Sequence, residues 1–577
     1  MQKNAATFLF LLLLFMGSAI SLNAQQTDPQ AQQNLLPEID PQDIEIRSQF
    51  QARFPGLRRQ PILGFNPKPR VFQINPNRTP FIESEEAIAA SVPVGQLDRP
   101  DAPTYTPLSY VDPATGFARL GIGTYVTPEA DIYAIKGFGN KHWVSGNLSH
   151  RSSNGHLDEF DSSFRDLNAT IRAQLRLSKS ALLKLNSGVF SAFNYLPADQ
   201  VGGTPLQQAG ARSSRTGGNF GGSLAFNRTS VTGFQSDFNF YSHQFDVSNP
   251  GGQTSEGTPS EWGVTVDGIY SWAGSRTEEV FSAYANIDAG SIDVIGYESS
   301  GWSVTQAGAR YERLLNYQTD IDASFGVALV SDASNESKFY IAPKLDARHT
   351  LLDGIDLRAR ISGSPNYNSL LDLQTINRFI GLSTPLSHQY TSELRSEVII
   401  EPLSGTMFTG GIQFQHIRNH TYFTRNQITD AQDITTRYSY SPQFENANFF
   451  KVYASFSQQL AAEKFWVSAD AYWQRPRLSG NDKIPYTESL GLTGTASVRP
   501  VRDLVVEGWV DYSGSRFNPV GNDLDPYFLL GARFELALAG NAGIYAKLLN
   551  INDVDYEIWQ GYRERGFQAY VGITYLF

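Results

Sequence analysis

The feature that most constrains this chain is an alternation, repeated many times, of apolar residues on one face of a strand and polar or charged residues on the other. In Leu167–Leu177 one face holds Leu167, Ala169, Ile171, Ala173, Leu175 and Leu177, and the other holds Asn168, Thr170, Arg172, Gln174 and Arg176. In Phe528–Leu538 the apolar face is Phe528, Leu530, Ala532, Phe534, Leu536 and Leu538, with Arg533 and Glu535 opposite. Phe465–Trp473 sets Phe465, Val467, Ala469, Ala471 and Trp473 against Ser468 and Asp470, and Leu504–Tyr512 repeats the pattern against Glu507, Trp509 and Asp511. Successive side chains of a strand point to opposite faces. In the core of a soluble sandwich these charges would be buried, and an unpaired buried charge is costly. A wet lumen accepts them. The pattern therefore predicts an all-β transmembrane antiparallel β-barrel, apolar toward lipid and polar inside.

The last eleven residues continue the rule. Phe567, Ala569, Val571, Ile573, Tyr575 and Phe577 fall on one face, against Gln568, Tyr570, Gly572, Thr574 and Leu576. This strand is expected to pair with Phe117–Tyr125 and shut the barrel.

From Gly116 onward the sequence alternates short turns with longer polar connections. The short turns are read near Gly139–Lys141, Ser178–Ala181, Ser230–Gly233, Gly274–Thr277, Asn316–Thr319, Thr350–Gly354, Leu403–Gly405, Ala461–Lys464, Val501–Asp503 and Gly540–Ala542. Ten such turns imply eleven hairpins, hence about 22 strands across residues 116–577. The longer connections, such as Ser364–His388 and Asp553–Gly566, all fall at the other end. Strand-end residues Tyr195, Tyr241, Tyr311, Tyr390, Tyr472 and Tyr512 read as an aromatic belt.

Residues 1–24 read as a secretory signal peptide. A charged start precedes the apolar run Phe8–Phe15, and a cleavage site follows Ala24. Beyond it no run of 18 apolar residues predicts a spanning helix. The absence of cysteine excludes disulfides and a lipidated cysteine. Mean hydropathy is −0.30 although aromatics reach 12%, as expected when only every second strand residue meets lipid. Net charge is −11, which argues against nucleic acid as a partner.

Residues 25–115 differ. Thirteen of the 29 prolines lie between residues 25 and 112, a density that forbids a regular sheet. One short helix is predicted near 41–54, where Pro41 takes the first helical position and Ile46, Phe50 and Phe54 recur on one face before Pro55-Gly56. Leu57–Arg70 mixes arginines, apolar residues and prolines. It reads either as a periplasmic docking segment or lumenal strap, or as a tethered linker.

The segment Leu548–Phe567 and the strand after it resemble the closing hairpin of TonB-dependent receptors. Asn550, Asn552, Asp553, Tyr556, Gly561, Tyr562 and Gly566 hold the matching places, and Phe567 stands where that family often has Arg. Pro365–Leu373 with Thr384–Glu393 looks like the family's loop before a mid-barrel strand. Leu120–Asp131 and Asn147–Gly155 are similar to plug-poor barrels of the Bacteroidetes type. The resemblance covers the barrel and implies an outer-membrane receptor that takes up a solute. The N-terminal segment is shorter than the family's plug, does not read as its mixed α/β domain, and shows no TonB box. Phe567, Val571, Ile573, Tyr575 and Phe577 resemble the signal that the outer-membrane barrel assembly machinery reads.

No catalytic grouping stands out, so the chain reads as a non-enzyme without a cofactor. His416 and His420, four apart beside Arg418, read as a metal pair or as a plain loop-edge pair; no third ligand is near, so no metal site is assigned. Asp158, Glu159 and Asp161, and separately Asp523 and Asp525, read as calcium loops or as solvated acidic tips. Arg172, Arg176, Arg358, Arg360, Arg395, Arg533, Glu507, Asp511 and Glu535 are candidate lumenal charges, with Glu397, Asp470 and Lys547 beside them. They line a ligand path or brace a wide barrel. The function expected is solute uptake across the outer membrane. The alternatives are a plugless barrel that binds or assembles with a periplasmic or plug-bearing protein through residues 25–112, and a passive channel.

Overall fold

The computed structural model describes residues 115–577 except 140, 158–160, 196–199, 202–203, 206–211, 228–231, 249–257, 277, 294–298, 333–336, 382–385, 426–439, 461–463 and 539. The signal peptide, the Pro-rich segment with its helix near 41–54, and the acidic pair Asp158 and Glu159 lie outside the described residues.

The barrel forms because each alternating run finds a partner in the next. Twenty-two strands make one antiparallel sheet in which chain neighbours pair. The first strand, Gly116–Gly123, also pairs with the last, Gln568–Leu576, so the sheet closes and leaves no edge. The register at that seam runs from Phe117 opposite Leu576 to Gly123 opposite Tyr570, the pairing the sequence predicts. At each of the ten expected short turns one strand ends and the next begins within a few residues. In two of them Gly354 (φ +79°) and Gly405 (φ +83°) take the left-handed conformation, which a side chain would resist.

Facing follows the alternation. On the last strand Val571, Ile573 and Tyr575 are 59%, 56% and 51% exposed, whereas Tyr570, on the alternate face just before Val571, is 2% exposed. Ile171, Leu177, Phe528 and Phe534 lie exposed on the outer face as predicted, an apolar surface suited to lipid. Inside, large rings lie over glycines of adjoining strands. Tyr545 covers Gly121 and Gly572 across the closing seam, Tyr284 covers Gly308 and Gly326, and Trp509 covers Gly531; a Cβ at any of these glycines would collide with the ring.

Three residues read as belt aromatics turn inward instead. Tyr241 stacks on His243, Tyr472 bonds Glu488, and Tyr390 is buried against Tyr340. Tyr311 does stay on the outer face, beside Phe281.

The strands are uneven in height. Thr406–Arg425 has 20 residues and Tyr440–Leu460 has 21, about twice what crosses a bilayer, so the wall rises beyond it at the loop end. There the wall also parts. Ser337–Leu352 and Ile355–Tyr367 are paired only from the turn up to Lys344 opposite Ser362. Above that point the hairpin of Ile355–Tyr367 and His388–Leu403 leans into the barrel. Tyr367 stacks on the inward-facing Trp302, three strands away, with ring centroids 3.9 Å apart.

Candidate functional site

The candidate lumenal charges divide into two groups. Asp346 receives both Arg358 (Nη2 at 2.7 Å) and Arg360 (Nη2 at 2.6 Å). Beside this cluster Asp322 holds Arg310 and Lys344, each at 2.7 Å. Arg395 pairs with Glu397, which also accepts the Tyr453 hydroxyl. Glu535 joins Arg533 (3.2 Å) to Arg119 (3.0 Å) of the first strand, and Glu129 joins Lys547 to Tyr545. These pairs run from strand to strand, as struts would. Partly exposed pairs are worth only about 0.2–1 kcal/mol each, so the network counts through its number. Arg172, Arg176, Glu507 and Asp511 make no ion pair among the described residues.

The histidine pair comes apart. A bulge between Ile417 and His420 shifts the register, so His416 bonds Asn448 while His420 packs on Phe449, the next residue of the neighbouring strand and hence its other face. The bulge overturns the shared side on which a metal pair depends. Asp161 accepts the Ser163 amide within its turn. Asp523 lies in a small hairpin, Arg516–Phe517 with Asp523–Leu524.

The chemistry gathers at the loop end. Between the leaning strands, residues 368–387 carry the one helix of the described residues, α1 (Leu370–Ile376). Ser369 caps it through a reciprocal box with Asp372, a motif worth about 1 kcal/mol. Leu370 and Leu373 bury against the inner-wall residues Phe245, Val247, Ile292, Trp302, Val304 and Val330. Two buried histidine–carboxylate pairs bracket this lid. At its start Glu261 bonds His243 at 2.9 Å and accepts the Leu370 amide at 2.7 Å. At its end His388 lies 3.2 Å from Asp332 and 2.9 Å from the Tyr340 hydroxyl.

The lid continues into the loops opposite. Gly381 N–H donates to Tyr440 and Tyr440 N–H donates to Phe379, a two-bond bridge between the lid and the strand Tyr440–Leu460. The Phe379 ring packs on Tyr562 at 3.5 Å, and Trp559 contacts Phe423, Tyr440 and Tyr486. The apolar cluster thus runs unbroken from Phe245 on the seventh strand to Tyr440 on the sixteenth and Tyr562 before the twenty-second. On a 22-strand ring those strands stand nine, six and seven steps apart, spread around the whole circumference. The loops therefore bridge the mouth.

The motif residues before the last strand hold the base of this bridge. Asn550 donates to the Val554 and Arg565 carbonyls, and Asn552 bonds both the carbonyl of Phe528 and the amide of Leu530. Asp553 accepts the Phe567 amide at 2.7 Å, and a Cβ at Gly566 would strike its carboxylate. Tyr556 packs on Tyr527 with the rings tilted. Arg516, 2% exposed, was not legible from sequence. It donates to the carbonyls of Glu557, Ile558 and Asp525 and clamps the last two long loops together.

No family model and no curated protein matches the chain. Solved structures do. The chain is similar to the ferric-catecholate import receptor Fiu from E. coli (11% identity, 80% of this chain and 82% of that one, TM-score 0.60). It is also similar to the copper transporter OprC (11%, 80% and 80%, TM-score 0.60) and to the FrpB iron transporter from Neisseria meningitidis (8%, 81% and 82%, TM-score 0.63). At such identity the likeness is one of fold: the chain carries the 22-strand barrel of TonB-dependent receptors, as its closing hairpin implied.

Proposed function

We propose that the chain is an outer-membrane receptor that takes up a solute, with its long loops outside the cell and its short turns in the periplasm. The observation that carries this reading is the unbroken apolar cluster across the mouth, from Phe245 to Tyr440 and Tyr562. A steady pore gains nothing from loops packed like a protein core over its entrance. A receptor that admits a solute only after binding it needs such a cover. The fold likeness to an import receptor and to metal transporters supports the same reading, and their differing cargoes leave the substrate open. Within this proposal, residues 1–24 direct export and the assembly machinery reads the strand ending at Phe577. Residues 25–115 face a periplasmic or plug-bearing partner.

Single-channel recording of the purified protein tests it. Wild type is expected to show no steady large conductance, and deletion of residues 368–387 is expected to produce it. Steady large pores in wild type would replace uptake by passive conduction.

A further inference from the structure

Beside the lid lies a small pocket of about 40 Å³, formed by the loop after the third strand, the top of Ala181–Tyr195, the residues following α1 and the hairpin ending at Arg563. It opens on the interior side of the wall. Phe164 and Asn194 in its lining stand opposite each other in register, on the face that also carries Asp166 and Arg172.

Its charge is unbalanced. Arg378 lies 3.4 Å from Glu564 and over the Phe379 ring. Arg565 has no carboxylate partner among the described residues; it donates to Gln568 and lies 4.4 Å over the Phe164 ring. Burial, with Arg378 and Arg151 nearby, pushes its pKa below the ordinary guanidinium value. Arg563, also in the lining, is paired with Asp555, so among the described residues Arg378 and Arg565 have only Glu564 beside them in a space half-withdrawn from water, where a charge interaction is strengthened.

The second observation is independent of charge. Asn194 is 7% exposed, and its Nδ2 is buried with no hydrogen-bond partner. A buried donor without an acceptor is costly and rare. Phe164, Phe379 and Tyr562 supply apolar walls. The combination of a few convergent polar groups and an apolar lining is that of a small-molecule site.

We propose that this pocket binds an oxyanion, carboxylate or phosphate, carried by the solute: Arg378 and Arg565 supply the charge and the Asn194 amide donates to one oxygen. An interior-side pocket faces a soluble anion rather than a lipid headgroup. The source of the ligand rests on the uptake reading; the binding itself does not.

The test is calorimetric titration of the full-length protein in detergent with citrate and with inorganic phosphate, and with glucose as the neutral control. At least one oxyanion is expected to bind saturably at millimolar concentration, more weakly as salt rises, while glucose does not bind. Arg565→Gln and Asn194→Asp are expected to weaken binding by about tenfold, and Glu564→Gln to strengthen it by about threefold, as removal of a competing carboxylate should. Misfolding cannot mimic that gain, and heat-modifiable gel migration checks each variant. No binding of either oxyanion, or equal binding in all three variants, overturns the proposal. Steady pores in wild type with oxyanion binding intact would overturn the uptake reading and leave the pocket standing.

Discussion

Glu261 takes the amide of Leu370 at 2.7 Å across 109 positions of sequence. The same carboxylate oxygen accepts the His243 Nε2–H at 2.9 Å, and the two side chains are 0% and 1% exposed. The start of a lid assembled from a distant loop is thereby tied to the wall through one buried atom.

Replacing that carboxylate by Glu261→Leu orphans two buried donors, each at a cost of about 1–3 kcal/mol. The lid should come loose while the barrel below stays closed. Limited proteolysis is expected to cut within 368–387 in the variant and not in wild type. Equal protection would show that apolar packing alone holds α1.

The closing seam depends on room for one ring. Tyr545 lies over Gly121 and Gly572 while its hydroxyl bonds Glu129 at 2.6 Å. Gly572→Val should force the ring out and strain the seam by about 1–3 kcal/mol. The expected readout is loss of the heat-modifiable species. Gly146→Ala, which meets only a carbonyl 3.9 Å away, should leave it intact.

The terminal residue contributes twice. Its backbone exchanges hydrogen bonds with Gly116 at 2.8 and 3.0 Å, and its ring stands 43% exposed on the outer face. Phe577→Ala keeps the backbone pair and removes the ring. We expect deletion and Phe577→Ala to lower membrane levels alike, as they should if the ring is what the assembly machinery reads. Normal levels of Phe577→Ala would shift the role to the backbone.

A pH dependence follows from His156. Its Nε2–H donates to the Arg563 carbonyl at 2.9 Å, and Nδ1 accepts from the Ser162 hydroxyl. Burial lowers its pKa below 6.5, aided by Arg565 and Arg378 and opposed by the Arg563 carbonyl and Glu564. The folded loop therefore favours the neutral ring. Its stabilisation is complete above 6.5 and is lost as pH falls from there toward the lowered value. Proteolysis within the loop 154–163 should increase between about pH 7 and about pH 5 in wild type, and His156→Gln should flatten that rise. An unchanged profile in the variant would assign the effect to another group.

Much of the barrel was legible because it is written at short range. The strand limits on either side of the ten turns, and the apolar outer face, follow from local patterns of turn residues and period two. Facing failed where register is not local. The bulge before His420 turns that ring over, and the inward lean of the hairpin buries Tyr390 against Tyr340. Arg516 gave no signal because its acceptors are backbone carbonyls, which every residue owns. The pocket was invisible for a related reason: His156, Asn194, Arg378 and Arg565 come from four separate connections and strands.

The ladder that stops at Lys344 and Ser362 separates two mechanical duties. Below it every strand is held from both sides, so the cylinder resists being pulled open. Above it the leaning hairpin is tied to the wall by a ladder on one side only, like a door on its jamb. Swinging that door breaks side-chain contacts at Trp302, Glu261 and Asp332 but no rung of the cylinder. The entrance can open without the membrane losing its seal.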